Sequence, residues 1–267
     1  MIKIAHEAPN SIFRMVKGRT DYLYALVHLF EENRTYFDNF KKAVKEYREV
    51  ILDNSIFELG EAFDPVKYEY WIQELKPTWY IIPDVLEDAQ QTVAKAREWF
   101  ENRSEKTVGK TIGVVQGKTY QEIVWCYREL DKLGVDMIAI SFDYSLYEDM
   151  FPHPSKWVSW MMGRVELLGR LERDNVVNRS KPHHLLGCAL PQEGLFYRGG
   201  VYPWIYSMDT SNPVLHGMQY IEYISGQGLW YKEKVKMFEL IDDNIDNAAK
   251  RIIKDNILQF RYFWNGY

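Results

Sequence analysis

The sequence has little cysteine and no long hydrophobic run. Its two cysteines, Cys126 and Cys188, form no CxxC pair, which excludes a zinc knuckle and a disulfide framework. No stretch approaches the ~18 consecutive apolar residues that suggest a membrane span. The amino-terminal MIKIAHEAPN also lacks the apolar centre of a signal peptide. We therefore expect a cytoplasmic protein with no membrane partner.

An excess of positive charge is also absent. The 267 residues carry a formal net charge of −5, so a nucleic-acid site would have to be a local basic patch on an acidic body. Hydrophobic residues make up 46% of the chain, enough for a buried core. The 9 Trp, 19 Tyr and 13 Phe exceed what a core needs and leave room for a stacking surface.

Apolar segments alternate with helical patterns along most of the chain. The predicted strands are residues 2–8, 22–30, 49–53, 79–86, 111–117, 136–143, 183–190 and 204–209. The predicted helices are 33–47, 64–75, 87–101, 119–133, 155–172, a short one near 192–198, and a long amphipathic one over 231–257. Several strands are continuous apolar runs, which is typical of parallel strands buried on both faces.

Eight such strands predict an α/β protein, a single (β/α)8 TIM-type barrel. A doubly wound open sheet is the alternative, but no glycine-rich phosphate loop follows an early strand. We expect one domain over 1–267, with the barrel at about 1–213 and a helical extension at about 214–267.

Polar side chains stand where four predicted strands end. They are Asp53, Asp84, Gln116 and Asp209. Barrel enzymes work at the carboxyl ends of their strands, so these four side chains are expected to converge on one pocket. Paired carboxylates permit metal-assisted hydrolysis, acid–base chemistry on a carbohydrate, or displacement at an anomeric carbon. No histidine pair has metal-ligand spacing, and we predict no metal site and no cofactor.

The ordered motifs resemble a known family. The segments are ILDNSIFELG, IIPDVL, GVVQG, IAISFDY, KPHHLLG and SMDTSNP, which span residues 51–213. Together they resemble the tRNA-guanine transglycosylases, and more closely the compact phage DNA-guanine transglycosylases of the DpdA type. The sequence departs from the family at Asn54, Ser55, Ile56 and Glu58, and IAISFDY is a weak match. No cysteine follows Cys188, so the zinc subdomain of the tRNA enzymes is absent.

The resemblance implies a role for each matching residue. Asp209 would be the nucleophile and Asp53 the general acid/base. The base-binding residues would be Asp84, Gln116, Phe57, Ser141, Phe142, Leu186 and Gly187. The implied enzyme is a pentosyltransferase that flips a guanine nucleotide out of DNA and replaces the base with a 7-deazaguanine through a covalent Asp-glycosyl intermediate.

The implied partners are DNA and a free 7-deazaguanine such as preQ0 or preQ1, in the host cytoplasm if the chain is phage-encoded. Arg14, Lys17, Arg19, Lys156 and Arg164 are the candidate nucleic-acid contacts. Two alternatives stay open: a transglycosylase-like enzyme acting on RNA, and a barrel that binds nucleosides or nucleic acid without this activity.

Overall fold

A computed structural model describes residues 1–266. Eight parallel strands form one sheet with the order β1-β8-β7-β6-β5-β4-β3-β2. The strands are β1 (Lys3–Ala5), β2 (Leu23–Leu26), β3 (Val50–Asp53), β4 (Trp79–Ile81), β5 (Lys110–Val114), β6 (Met137–Ile140), β7 (His183–Leu185) and β8 (Ile205–Asp209). The chain is a nearly closed (β/α)8 barrel of the TIM type, and the predicted fold class is confirmed.

Helices surround the strands. They are α1 (Phe13–Lys17), α2 (His28–Glu32), α3 (Arg34–Lys45), α4 (Ile56–Leu59), α5 (Pro65–Leu75), α6 (Ala89–Asn102), α7 (Tyr120–Leu133), α8 (Leu146–Met150), α9 (Lys156–Arg173), α10 (Asn212–Met218) and α11 (Asn247–Asn265). Short 3-10 helices lie at Asn10–Ile12, Pro191–Phe196, Arg198–Gly200 and Met237–Leu240. Among residues 1–266, no helix is both long and apolar enough to cross a membrane.

The register of the strands explains where the polar residues meet. Asp209 at the end of β8 lies opposite Ala5 of β1, and Asp53 at the end of β3 lies opposite Leu26 of β2. All residues of β2, β3 and β6 are buried, as expected for strands covered on both faces. Both acids therefore stand where a buried strand opens onto the same end of the barrel.

Local capping signals fix several helix starts that the sequence predicts correctly. Asp64 accepts a hydrogen bond from the Lys67 backbone N–H, and Pro65 occupies the first helical position of α5. Thr119 and Glu122 form a capping box at the start of α7, which ends at Gly134 in the left-handed conformation. These boundaries are local properties of the chain.

The predicted helix over 231–257 is wrong for residues 231–246 and confirmed for residues 247–257. Residues 219–246 are irregular apart from one 3-10 helix, and α11 starts only at Asn247. Asp246 caps α11 by accepting from the Ala249 backbone N–H at 2.8 Å. The strand predicted over 22–30 is also too long, because α2 begins at His28. We call residues 228–241 the crossing segment, since part of it lies over the barrel mouth.

The aromatic carboxyl-terminal segment is part of α11. Phe260 and Trp264 are fully buried, and their rings stack at 5.7 Å between centroids. The helix packs against α10 and against the 3-10 helix Pro191–Phe196. Phe260 and Trp264 therefore belong to the hydrophobic core of the barrel and are not exposed for stacking on a ligand.

Candidate active site

A cavity of about 310 Å³ opens at the carboxyl ends of the strands. Asp53, Asp84, Gln116 and Asp209 all line it, so the predicted convergence of these four side chains is observed. Phe57, Ser141, Phe142, Leu186 and Gly187 line it as well. The volume suits a small substrate.

Asp53 is held by two donors at the end of β3. The Tyr24 hydroxyl donates to Oδ2, and the backbone N–H of Ser55 donates to Oδ1. Burial, with a smaller contribution from the nearby Asp209, raises the pKa of Asp53 to about 7 against the effect of the two hydrogen bonds. A large fraction of Asp53 therefore carries a proton at neutral pH.

Asp84 sits in an amide clamp. Its Oδ1 accepts from Asn54 Nδ2 and its Oδ2 accepts from Gln116 Nε2, both at 2.7 Å. Gln116 Oε1 in turn accepts from the Glu87 backbone N–H at 2.9 Å. Burial raises the pKa of Asp84 to about 6, against the effect of the two amides. The clamp fixes the carboxyl group rigidly in the cavity wall.

Asp209 is positioned by β7. Its Oδ1 lies 3.1 Å from His184 Nε2 and accepts from the Gly187 backbone N–H, also at 3.1 Å. His184 Nδ1 contacts Ser207 Oγ at 2.9 Å, which orients the imidazole ring. Hydrogen bonds converging on one carboxylate oxygen stabilise negative charge there.

Sequence reasoning missed His184 and Tyr24. His183 and His184 are adjacent on a strand, so one of them had to face the barrel interior. His183 points outward and contacts the Tyr127 hydroxyl at 2.8 Å, whereas His184 reaches Asp209. Tyr24 lies inside an apolar run, and nothing in the sequence marks it as a partner of Asp53.

Sequence reasoning also missed two carboxyl groups, Glu7 and Glu58, which line the cavity. Glu7 lies two residues past the end of β1, as Gln116 does past the end of β5, whereas the predicted strand continued beyond Glu7. Burial raises the pKa of Glu7 to about 8, and Asp209 adds to this shift. Burial also raises the pKa of Glu58 well above its usual range, with Asp53 as the next cause. A strand-end rule with the correct end of β1 would have found Glu7.

A row of aromatic rings forms one wall. Phe57 and Phe142 lie 5.8 Å apart between centroids, and Phe142 and Trp160 lie 5.6 Å apart. Ser141 Oγ donates to Asp143 at 2.5 Å, so this hydroxyl is already engaged. Leu186 and Gly187 approach from the end of β7. The wall can pack against an apolar or planar part of a ligand.

The predicted nucleic-acid contacts do not form one surface. Arg164 is fully buried and pairs with Glu193 at 2.6 Å, so its charge is not available to a nucleic acid. Lys17 pairs with Glu46, which precedes β3 and therefore lies toward the other end of the barrel. Arg14 and Arg19 do not line the cavity, and only Lys156 of the five does so.

No cluster of three or more His, Cys, Asp or Glu side chains within residues 1–266 is arranged to hold a metal ion. Cys126 and Cys188 are both buried free thiols. The polar groups of the candidate site are carboxyl groups, amides, the Tyr24 phenol and the His184 imidazole.

No family model and no curated protein matches the chain. Among solved structures, 2,3-dimethylmalate lyase of the PEP mutase/isocitrate lyase superfamily is similar, at 12% identity and a TM-score of 0.48 over 90% of this chain and 88% of the other. Phosphoenolpyruvate phosphomutase from Streptomyces platensis subsp. rosaceus is similar at 8% identity and a TM-score of 0.46, over 98% and 93%.

The carboxyl transferase domain of Rhizobium etli pyruvate carboxylase, solved with pyruvate, is similar at 10% identity and a TM-score of 0.51. The match covers 98% of this chain and 48% of the other, so this chain spans about half of that structure. What these proteins share with this chain is the fold.

The identification as a guanine transglycosylase is wrong. The similar structure with a TM-score above 0.5 is a carboxyl transferase domain, and no family model matches the chain. The predicted base exchange in DNA depended on that identification and is also wrong. The same holds for the two alternatives, an enzyme acting on RNA and a barrel that binds nucleosides or nucleic acid. Eight parallel strands bring acids and amides to one rim in unrelated barrels, so a few polar strand ends do not specify a family. The DNA and free-base partners were implied only by that resemblance.

Proposed function

We propose that this chain is an enzyme that moves a proton to and from a carbon atom next to a carbonyl group of a small substrate. The observation that carries the proposal is the pair Asp53 and Asp209 on one cavity, each with its own set of hydrogen-bond partners. Pairs of titratable groups whose environments differ are the usual arrangement for acid–base catalysis.

Asp209 is the base in this proposal. It takes the proton from the carbon, and the electron pair of the C–H bond moves into a carbon–carbon double bond. His184 and the Gly187 N–H hold its Oδ1, which leaves Oδ2 to face the substrate. Returning the same proton, or one exchanged with solvent, to the carbon completes the cycle and regenerates the carboxylate.

Asp53 serves the substrate oxygen. As the double bond forms, negative charge develops on the former carbonyl oxygen, and a neutral carboxylic acid can donate a hydrogen bond to it. The pKa of about 7 keeps much of Asp53 protonated at neutral pH. Tyr24 fixes the orientation of the acid.

Asp84 positions the substrate. Its clamp by Asn54 and Gln116 leaves further lone pairs on both oxygens for a hydroxyl or amine of the ligand. The apolar wall of Phe57 and Phe142 limits the space on the other side. A cavity of about 310 Å³ admits a small organic molecule.

The test is solvent exchange at carbon. The protein is incubated in D2O with pyruvate, 2-ketobutyrate, 2-ketoglutarate or dihydroxyacetone phosphate, and loss of the C–H proton signal is followed by NMR. Pyruvate comes first because a domain of similar fold was solved with it. We expect exchange of at least one substrate above the rate without protein. Exchange equal in wild type and Asp209→Asn for every substrate would contradict the proposal.

A further inference from the structure

Lys232 is a half-buried cation on the wall of the cavity. It lies in the crossing segment, and its Nζ sits 3.8 Å from the centroid of the Phe142 ring. Within residues 1–266 its ammonium forms no ion pair, and its hydrogen-bond partner is the Cys188 carbonyl at 3.4 Å. A charge removed from water normally has an opposite charge beside it.

The other three lysines that line the cavity are differently placed, and Lys234 among them is exposed to solvent. Lys236 Nζ donates to the carbonyls of Phe57 at 3.2 Å and Glu58 at 3.4 Å, which ties the crossing segment to the loop after β3. Lys156 Nζ lies 4.7 Å from the ring centroids of both Trp157 and Trp160 at the start of α9. Lys236 thus holds the crossing segment against the loop after β3, whereas Lys232 makes a single long hydrogen bond.

The acids near Lys232 do not form an ion pair with its ammonium group. Glu7, Asp143 and Asp209 are close enough to affect its titration, and burial lowers the pKa of Lys232. The pKa of Glu7 is itself raised to about 8, so this group is largely uncharged at neutral pH. Asp209 and Asp143 form no ion pair with Lys232, and they accept hydrogen bonds from the Gly187 N–H and the Ser141 hydroxyl, respectively. The Lys232 ammonium group therefore faces the cavity without a direct anionic partner, and an anionic group of a ligand could take that place.

We propose that the substrate carries an anionic group, a carboxylate or a phosphate, and that Lys232 binds it. The inference rests on the proposed function for the place of the substrate, and it narrows the substrate to charged carbonyl compounds. Lys232 fixes the anionic end while the carbonyl end reaches Asp53 and Asp209. Six carboxyl groups line the cavity, so an anionic ligand needs a cation beside it, and Lys232 supplies that charge.

The test measures binding with matched probes that differ in charge. Dihydroxyacetone phosphate is compared with dihydroxyacetone, and pyruvate with pyruvamide, by isothermal titration calorimetry. For wild type we expect the anionic member of at least one pair to bind about tenfold tighter or more, since one charge-assisted contact is worth that much. The two pairs separate a phosphate from a carboxylate ligand.

Lys232→Met removes the charge and keeps an unbranched side chain against Phe142. We expect it to abolish the preference for the anionic probe, whereas Lys254→Met, on the exposed face of α11, keeps it. Thermal unfolding checks that each variant is folded, and Lys232→Gln serves if the Met variant is not. A preference that persists without the Lys232 charge, or its absence from wild type in both pairs, overturns the inference.

Binding and turnover separate the two proposals. If charge preference depends on Lys232 but no C–H exchange occurs, the proposed function fails and the anion site stands. If exchange occurs with equal affinity for charged and neutral probes, the anion site fails and the function stands.

Discussion

The ring of Tyr24 stacks on the imidazole of His184, with centroids 6.0 Å apart and planes inclined by 20°. Tyr24 also donates to Asp53, and His184 also contacts Asp209. The two acids are therefore connected through a pair of packed rings in the barrel interior. A change in either ring is therefore expected to alter the environment of both acids.

Asp209→Asn is expected to lower the rate of C–H exchange by about 10²–10⁴-fold, because an amide cannot accept the proton. The amide keeps nearly the same size and can still accept from Gly187, so the fold should persist. Exchange measured by NMR in D2O checks this, with Asp255→Asn on the exposed face of α11 as the control. Equal losses in both variants would argue against a specific role for Asp209.

The rate of exchange should fall as the pH rises through about 7, because Asp53 loses the proton that it donates. The measurement is the exchange rate as a function of pH. Asp53→Asn should retain a weaker donor and show no such alkaline decrease. A wild-type profile that stays level across this range would contradict the assignment of Asp53 as the donor.

Tyr24→Phe should move that alkaline decrease to higher pH. The Tyr24 hydroxyl stabilises the ionised form of Asp53, so its removal raises the pKa of Asp53 above about 7. The direction distinguishes this effect from a general loss of activity. An unchanged profile with a lower maximum would show that Tyr24 acts on packing rather than on the acid.

The contribution of Asp53 to the free energy of unfolding should decrease as the pH rises from about 4 to about 7. The folded pKa of Asp53 is about 7, above its unfolded value, so the folded state still holds a proton that the unfolded chain has released. This stability is fully present below the unfolded pKa and is lost as the pH rises through the folded one. Chemical denaturation of wild type and Asp53→Asn at several pH values measures this contribution as the difference between the two proteins. The difference cancels the effect of the buried histidines, whose lowered pKa acts in the opposite direction.

Gly187→Ala should impair activity more than Gly199→Ala. Both glycines have positive φ, +61° and +76°, so both substitutions carry backbone strain. A Cβ at Gly187 would lie 2.3 Å from Cδ1 of Phe142, whereas nothing lies within 4 Å at Gly199. Only the first change should displace the N–H that donates to Asp209. Equal exchange rates in the two variants would count against that contact.

The sequence by itself determined much of the framework. Continuous apolar strands that alternate with helical patterns, and polar strand ends at Asp53, Asp84 and Asp209, are local patterns. They predicted the barrel and the shared rim. Such short local patterns also led to the incorrect transglycosylase identification, because acids at strand ends are common to barrels of unrelated function.

Only the tertiary structure decided which groups touch. Tyr24 and Asp53 are joined across strands, and Lys232 returns to the cavity from a segment that the sequence pattern had assigned to a helix. Such contacts depend on register and on where a long connection crosses the barrel. The raised pKa of Asp53 likewise results from burial, which no short motif encodes, because burial is a property of the whole packed chain.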